Sequence, residues 1–353
     1  MSGHGGLAAL RHIPPRSLSS AELTATAESI AAVQLPSGMI PWYPGGHADP
    51  WNHVEAAMAL AVAGLVGEAE GAYAWLAGRQ HPDGSWCSYY QACGVEEPRR
   101  DTNMCAYVAT GVWLHYLVTG DRGSLESLWP TVDRAMGFVV AQQRPGGEVA
   151  WSVDPDGRPA RDALLAASSS IRLSLRCALA IAGRLGAERP AWHAAAVALA
   201  GAIAARPGAF RPKARWSMDW YYPVLAGGLA GPAAAAHMAK RWDELVIDGV
   251  GVRCVSDRDW VTTAETAECA IALAKVGRRA EATELLDWTR AMRHPDGSYW
   301  TGVVHPRGGH FPGGERSTYS AAAVVLATSI LDGLVGPKEE PEAATCPGLF
   351  EAT

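Results

Sequence analysis

The chain has 353 residues, 48% of them hydrophobic and 19% charged, with a formal net charge of −6. This fits one large or two ordinary soluble cores and argues against a broad nucleic-acid surface. Fourteen Trp against four Phe is unusual: Trp joins a flat apolar face to a polar edge, which suits cores and also pockets for sugars, cations or isoprenoid chains.

Residues 1–19 carry early prolines and no long apolar run, so no signal peptide is expected. No stretch reads as a run of roughly 20 apolar residues of the kind that spans a membrane. Seven scattered cysteines without a CxxC pair suggest reduced thiols and a cytoplasmic protein. The first helix-like segment, AELTATAESIAAVQ, ends in Gln34-Leu-Pro-Ser-Gly38 and runs on to Trp42. GEAEGAYAWLAGRQ ends in QHPDGSW at Gln80 to Trp86. SLWPTVDRAMGFVVAQQ ends in Gln143-Arg-Pro-Gly-Gly147 and runs on to Trp151. AEATELLDWTRAMR ends in RHPDGSY at Arg293 to Tyr299. Four copies of Gln/Arg-x-x-x-Gly followed by an aromatic mark a repeated helix end.

Six other segments begin polar and turn small and apolar. They start at Asp49, Asp101, Ser168, Ser217, Thr262 and Glu315. Rich in alanine and apolar nearly all round, they are expected to be buried, with the more amphipathic segments outside. Six inner helices alternating with six outer ones predict an all-α single (α/α)6 toroid over 20–335, with 336–353 as a flexible tail. An irregular all-α solenoid is the alternative. Strand signals are sparse; GVGVRCV at 249–255 is the one candidate.

The segment Trp75-Leu76-Ala-Gly-Arg-Gln80 through Gly84 to Trp86 resembles the QW motif of the terpenoid cyclases, with looser versions at Gln143 and Arg293. The resemblance implies the α/α-toroid superfamily of squalene cyclases and protein prenyltransferase β subunits, and hence acid-initiated carbocation chemistry on an isoprenoid. The Asp-x-Asp-Asp motif of the alkene-protonating cyclases is not complete; Asp257-Arg-Asp259-Trp260 is its nearest text, and no zinc-ligand set is found. No cofactor is expected, though a diphosphate substrate would call for Mg2+ and a lipid one for peripheral membrane contact.

Parallel inner helices gather their N-termini at one end of a cavity, a positive end suited to acids and anionic groups. The catalytic candidates there are Asp219, Asp257, Asp259, Glu265 and Glu268. Asp219 lies among Trp216 and Trp220-Tyr221-Tyr222, where burial would raise its pKa. Glu265 and Glu268 share a helix face, where one carboxylate raises the other. Trp51, His53, Asp101, Trp220, Tyr221, Tyr222, Trp260, Trp300, Glu315 and Tyr319 are candidate substrate contacts, with Asp49, Asn52, Glu55 and Asn103 at the same helix starts. Each acid has a plain alternative role as a helix cap. No metal constellation, phosphate loop or nucleophile elbow appears. The leading expectation is a terpene cyclase-like or prenyltransferase-like enzyme. The alternatives are a carbohydrate-active enzyme with paired carboxylates and a non-catalytic binding protein.

Overall fold

A computed structural model describes residues 18–333. The expected tail and most of the expected N-terminal segment lie outside them. The helices alternate outer and inner along the chain: α1 (Ser20–Ala31) and α2 (Pro50–Val62); α3 (Val66–Gly78), then α4 (Thr102–Ala106) continued by α5 (Val108–Thr119); α6 (Arg122–Ala141) and α7 (Leu165–Arg184); α8 (Pro190–Ala205) and α9 (Met218–Leu225); α10 (Gly231–Ala239), a short α11 (Trp242–Leu245) and α12 (Thr263–Lys275); α13 (Arg279–Trp288) and α14 (Thr318–Leu331). The inner helices pack in a closed cycle, α2–α5–α7–α9–α12–α14 and back to α2. The (α/α)6 toroid is therefore closed, and the solenoid alternative falls away.

Alanine makes this closure possible. Ala56, Ala57, Ala59 and Ala61 of α2, Ala267, Ala270 and Ala272 of α12, and Ala321–Ala323 of α14 are all buried. Small side chains let each inner helix be packed on every side. α7 is long and apolar enough by composition to cross a membrane, contrary to the sequence expectation, yet most of it is buried as the third inner helix.

The repeated phrase joins the outer helices. Gln34 Nε2 donates to Gly38 O in its own turn (3.0 Å) and to Glu68 O on α3 (2.9 Å). Gln80 Nε2 does the same to Gly84 O (3.0 Å) and Thr131 O on α6 (2.9 Å). Gln143 Nε2 reaches Gly147 O (2.8 Å) and Ala195 O on α8 (2.9 Å). Arg293 reaches Glu22 O on α1 (3.3 Å), which helps close the outer ring. Each turn glycine has φ near +90° and lies against the backbone of the helix that its Gln or Arg reaches. A β-carbon at Gly84 would come within 2.1 Å of Arg134 O.

Strands are more numerous than the sequence suggested. β1 (Tyr89–Gln91) and β2 (Gly94–Glu97) form a hairpin, and β3 (Arg100–Asp101) pairs with β4 (Ser152–Val153). An antiparallel meander joins β5 (Val246–Ile247), β6 (Gly251–Arg253), β7 (Trp260–Thr262), β8 (Trp300–Val304) and β9 (His310–Arg316) in chain order. The expected strand in 249–255 is β6. Trp300 opens β8, and Glu315 lies on β9 rather than at the start of α14.

The clasp geometry sets the effect of changing it. Gln80→Leu, which leaves two carbonyls short of a donor, is expected to destabilise the protein by about 1–3 kcal/mol. Gly84→Ala adds backbone strain and a clash and should cost about 3 kcal/mol or more. Urea unfolding of both variants checks the order.

Candidate active site

The inner helices bring five carboxylates, two from α2, one from α4 and two from α12, to the same end of the ring. Asp49, the N-cap of α2, is buried and fully engaged. Its Oδ1 accepts from Trp51 N (2.8 Å) and Asn52 N (3.0 Å), and its Oδ2 from Trp42 Nε1 (2.6 Å) and Asn52 Nδ2 (2.6 Å). Pro50 at the first helical position leaves no amide there to satisfy. Asp101 caps α4 through Oδ1, which accepts from Asn103 N (2.8 Å) and Met104 N (3.1 Å). Burial pushes Asp101 up to about 6, and the neighbouring Asp49 charge adds to the rise. Burial raises Asp49 as well, against its hydrogen bonds.

Further along their helices lie Glu55 of α2 and Glu268 of α12, 5% and 6% exposed. Tyr107 Oη donates to Glu55 (3.0 Å), and Tyr221 Oη donates to Glu268 in a short bond. Burial, then the charge of Asp49, pushes Glu55 up to about 8. Burial raises Glu268 further, helped by the charges of Glu55 and Glu265. Tyr222 lies close to this pair, and Trp51 meets Tyr107 edge-on with centroids 5.5 Å apart and Tyr222 at 6.0 Å.

Glu265 stands in the first turn of α12, half-buried, within reach of the Cys254 thiol and acting on Tyr221 and Tyr319. Tyr319 stacks edge-on against Trp42 (5.1 Å), linking Glu265 back to the Asp49 network. Glu315 accepts from Thr301 Oγ1 (2.8 Å) and also acts on Tyr319. Tyr89, pushed up to about 12 by burial and by the charges of Asp49 and Asp101, packs beside Trp42 and His47. Trp51 Nε1, Asn103 Oδ1 and His47 Nε2 are buried and have no protein hydrogen-bond partner. In the cycle of inner helices α4–α5 and α12 are three places apart, so Asp101 and Glu265 face one another across the opening.

Other expected residues stand elsewhere. His53 is buried with Nδ1 accepting from Ile40 N (3.1 Å) and Nε2 against Ala72 O on α3 (2.9 Å), and burial lowers it to about 4. It is a neutral outward-facing tie, not a substrate contact. Trp220 is also turned outward, its Nε1 donating to Met238 O (3.2 Å) beside α10. Asp219 accepts from Ala166 N of α7 (3.2 Å) and lines a separate cavity of about 310 Å³ with Trp220, His237 and Lys240. Its pKa is raised by burial as expected, but it caps a neighbouring helix away from the other acids. Asp257 pairs with Arg215 (2.8 Å), and Asp259 with Arg307 (3.4 Å) and Arg253 (3.8 Å), on the turn between β6 and β7. Trp260 stacks on Phe311 (4.4 Å) and Trp300 on His310 (3.8 Å), both on the meander. Trp42, Tyr89 and Tyr107 were not picked out from the sequence; Trp42 carried a signal, as the aromatic that ends the first repeat. Among the described residues no cluster of His, Cys, Asp and Glu is placed to hold a metal.

A buried carboxylate with a raised pKa has a definite linkage sign. Folded Glu55 keeps its proton up to about pH 8, whereas unfolded Glu55 loses it near 4.5. Its favourable contribution is full below pH 4.5 and is lost as pH rises towards 8, at up to about 1.4 kcal/mol per pH unit. Glu55→Gln should flatten the wild-type decline by one proton's worth in unfolding titrations between about pH 5 and 8.

No protein-family profile matches the chain. It is 49% identical over 317 residues, 90% of this chain and 88% of the relative, to the MMP endo-(1,4)-3-O-methyl-α-D-mannosidase of Mycolicibacterium hassiacum. In fold it is similar to a glycosidase solved with glucose bound, at 18% identity and a TM-score of 0.71, covering 90% of this chain and 98% of that one. It is also similar to a GH63 mannosylglycerate hydrolase from Thermus thermophilus in complex with glucose, at 15% identity and a TM-score of 0.62, covering 87% and 99%. These findings overturn the terpenoid cyclase and prenyltransferase expectation. The physical reason is on the outer ring: Gln34, Gln80 and Gln143 bond to their own turns and to the next outer helices, Gln80 also through the Arg134 side chain on α6, so the QW-like phrase reports the scaffold and not the cavity. With the isoprenoid goes the argument for a diphosphate, Mg2+ or a membrane contact. The chain is an enzyme and belongs to the family of the Mycolicibacterium hassiacum MMP endo-(1,4)-3-O-methyl-α-D-mannosidase.

Proposed function

We propose that this protein is a glycoside hydrolase that cuts internal α-(1,4) bonds in a 3-O-methylated mannose polymer, with its chemistry at the mouth of the toroid. The observation that carries the reading is the facing arrangement of Asp101 on one side of the ring and Glu265 on the other, joined to the 49% identity over nine-tenths of the chain. Glycosidic hydrolysis needs one carboxyl that holds a proton and one that has lost it. Burial raises both Asp49 and Asp101, and the charge of Asp49 adds to the rise of Asp101. Asp101, raised to about 6, is assigned the proton that passes to the leaving-group oxygen, while Asp49, which accepts from four N–H donors, holds its neighbours in place. Glu265 takes the proton of the attacking water. Acid and base on opposite sides of the ring leave room for a sugar and that water, the geometry of single displacement with inversion.

The surroundings suit a partly methylated sugar. Trp51, Trp42 and Tyr89 offer apolar ring surface for a sugar face or a methoxy group. Trp51 Nε1, Asn103 Oδ1 and His47 Nε2 offer donors and acceptors for hydroxyls. Glu55 and Glu268, protonated and tied to tyrosines, are neutral polar groups beneath the reacting centre. The sugar contacts therefore lie on the segment between α1 and α2, on α2, on α4 and on the β1–β2 hairpin.

Purified protein incubated with a 3-O-methylated α-(1,4)-mannan should yield a ladder of shorter oligosaccharides by mass spectrometry. Release of single sugars alone, or an equal rate on unmethylated mannan, would count against the reading. Asp101→Asn and Glu265→Gln should each lower kcat by about 10²–10⁴-fold with folding unchanged. The first-formed reducing end, followed by NMR, should be the β anomer; an α product would show a double displacement.

A further inference from the structure

At the far end of the inner helices from the acids, three cations converge on one glycine. Arg172 and Arg176 stand one turn apart on α7, and Lys275 ends α12. Gly227 follows α9 with φ +71°. The position that a β-carbon on residue 227 would occupy lies 3.4 Å from Arg176 Nη1, 3.5 Å from Arg172 Nη1 and 3.6 Å from Lys275 Nζ. No two of these nitrogens can be more than about 7 Å apart, a range over which like charges repel strongly in a partly buried setting.

Part of this charge answers the carbonyl ends of the helices. Arg172 donates to Gly227 O (2.7 Å) and Ala226 O (3.3 Å) just past α9, as a cation at a helix C-terminus should. That role needs one cation per helix end, whereas here three nitrogens meet around one glycine. The charges acting on Arg172 come from Arg176, and those on Lys275 from Arg176 and Arg172 together with Cys177. Burial, reinforced by the two arginines, lowers Lys275 to about 7, so a bound negative charge would favour its protonated form. Gly227, Arg172 and Arg176 are partly exposed, and the Lys275 Nζ lies buried behind them.

We propose that Arg172, Arg176 and Lys275 with Gly227 form a binding site for a small doubly charged tetrahedral oxyanion of the phosphate or sulfate kind. Two guanidinium groups and an ammonium supply donors from three directions to oxygens spread around one centre. The stretch of α12 from Glu265 to Lys275 puts the site about 15 Å from the reacting centre. It therefore does not contact the scissile bond, and it ties α7, α9 and α12 together at the closed end.

The test is thermal unfolding of the full chain in a phosphate-free buffer, with sodium phosphate added to about 10 mM or with sodium chloride or sodium acetate at matched ionic strength. An ion that binds only the folded state raises Tm by mass action. The expected result is a Tm rise of several degrees with phosphate that neither chloride nor acetate gives, absent in Lys275→Met and in Arg176→Gln. Either variant suffices should the other fail to fold. An equal rise with chloride or acetate, no rise in the wild type, or a rise retained by the folded variants overturns the site.

Discussion

The structure depends on one clasp: a glutamine amide at the end of an outer helix that donates at once to its own turn and to the next outer helix. Gln34, Gln80 and Gln143 repeat it with nearly the same two distances. The bond sets spacing, and the adjoining glycine, with φ near +90°, lets the turn lie against a backbone that a β-carbon would strike. With the outer ring spaced this way, the inner helices have little choice but to stand side by side and parallel. Their alanines then pack without leaving or needing extra volume.

Parallel inner helices carry a consequence for charge. Their amide ends collect at one mouth, and carboxylates placed there find donors without a cationic partner. Asp49 and Asp101 are held in this way by backbone N–H groups. The opposite end collects carbonyls, and there the chain places Arg172, Arg176 and Lys275. The same polarity of the ring thus organises acids at one end and bases at the other. Burial of several carboxylates in one opening has its own effect: each raises the next, from Asp49 to Asp101 and Glu55, and from Glu55 to Glu268. Protonated and ionised carboxyl groups can then coexist at neutral pH, which is what hydrolysis of an acetal requires.

Much of the scaffold was legible in the sequence. Asp49, Asp101 and Thr262 directly precede inner helices, and the Gln-x-x-x-Gly phrases end outer ones. What could not be read was rotation. An alanine-rich helix that is apolar on all sides offers no stripe to show which face points inward. Thus His53 and Trp220 read as mouth residues because they sit near helix starts, yet each faces an outer helix. Glu55 and Glu268 are turned to one another by the same unreadable rotation. The meander from β5 to β9 escaped because its strands are short and interrupted by glycine, proline and charged turns. The chemistry was misassigned because the most conspicuous motif belongs to the clasp, which is common to helices stacked in a ring and is silent about the ligand.

On the proposed mechanism the sugar chain lies between Asp101 and Glu265. A crystal structure of Glu265→Gln soaked with a 3-O-methylated α-(1,4)-mannose oligosaccharide tests this directly. The predicted result is a glycosidic oxygen within hydrogen-bond distance of Asp101, and Trp51 against a sugar ring. Sugar bound instead in the cavity beside Asp219, or in the hollow near Trp151 and Trp216, with the mouth empty, would contradict it.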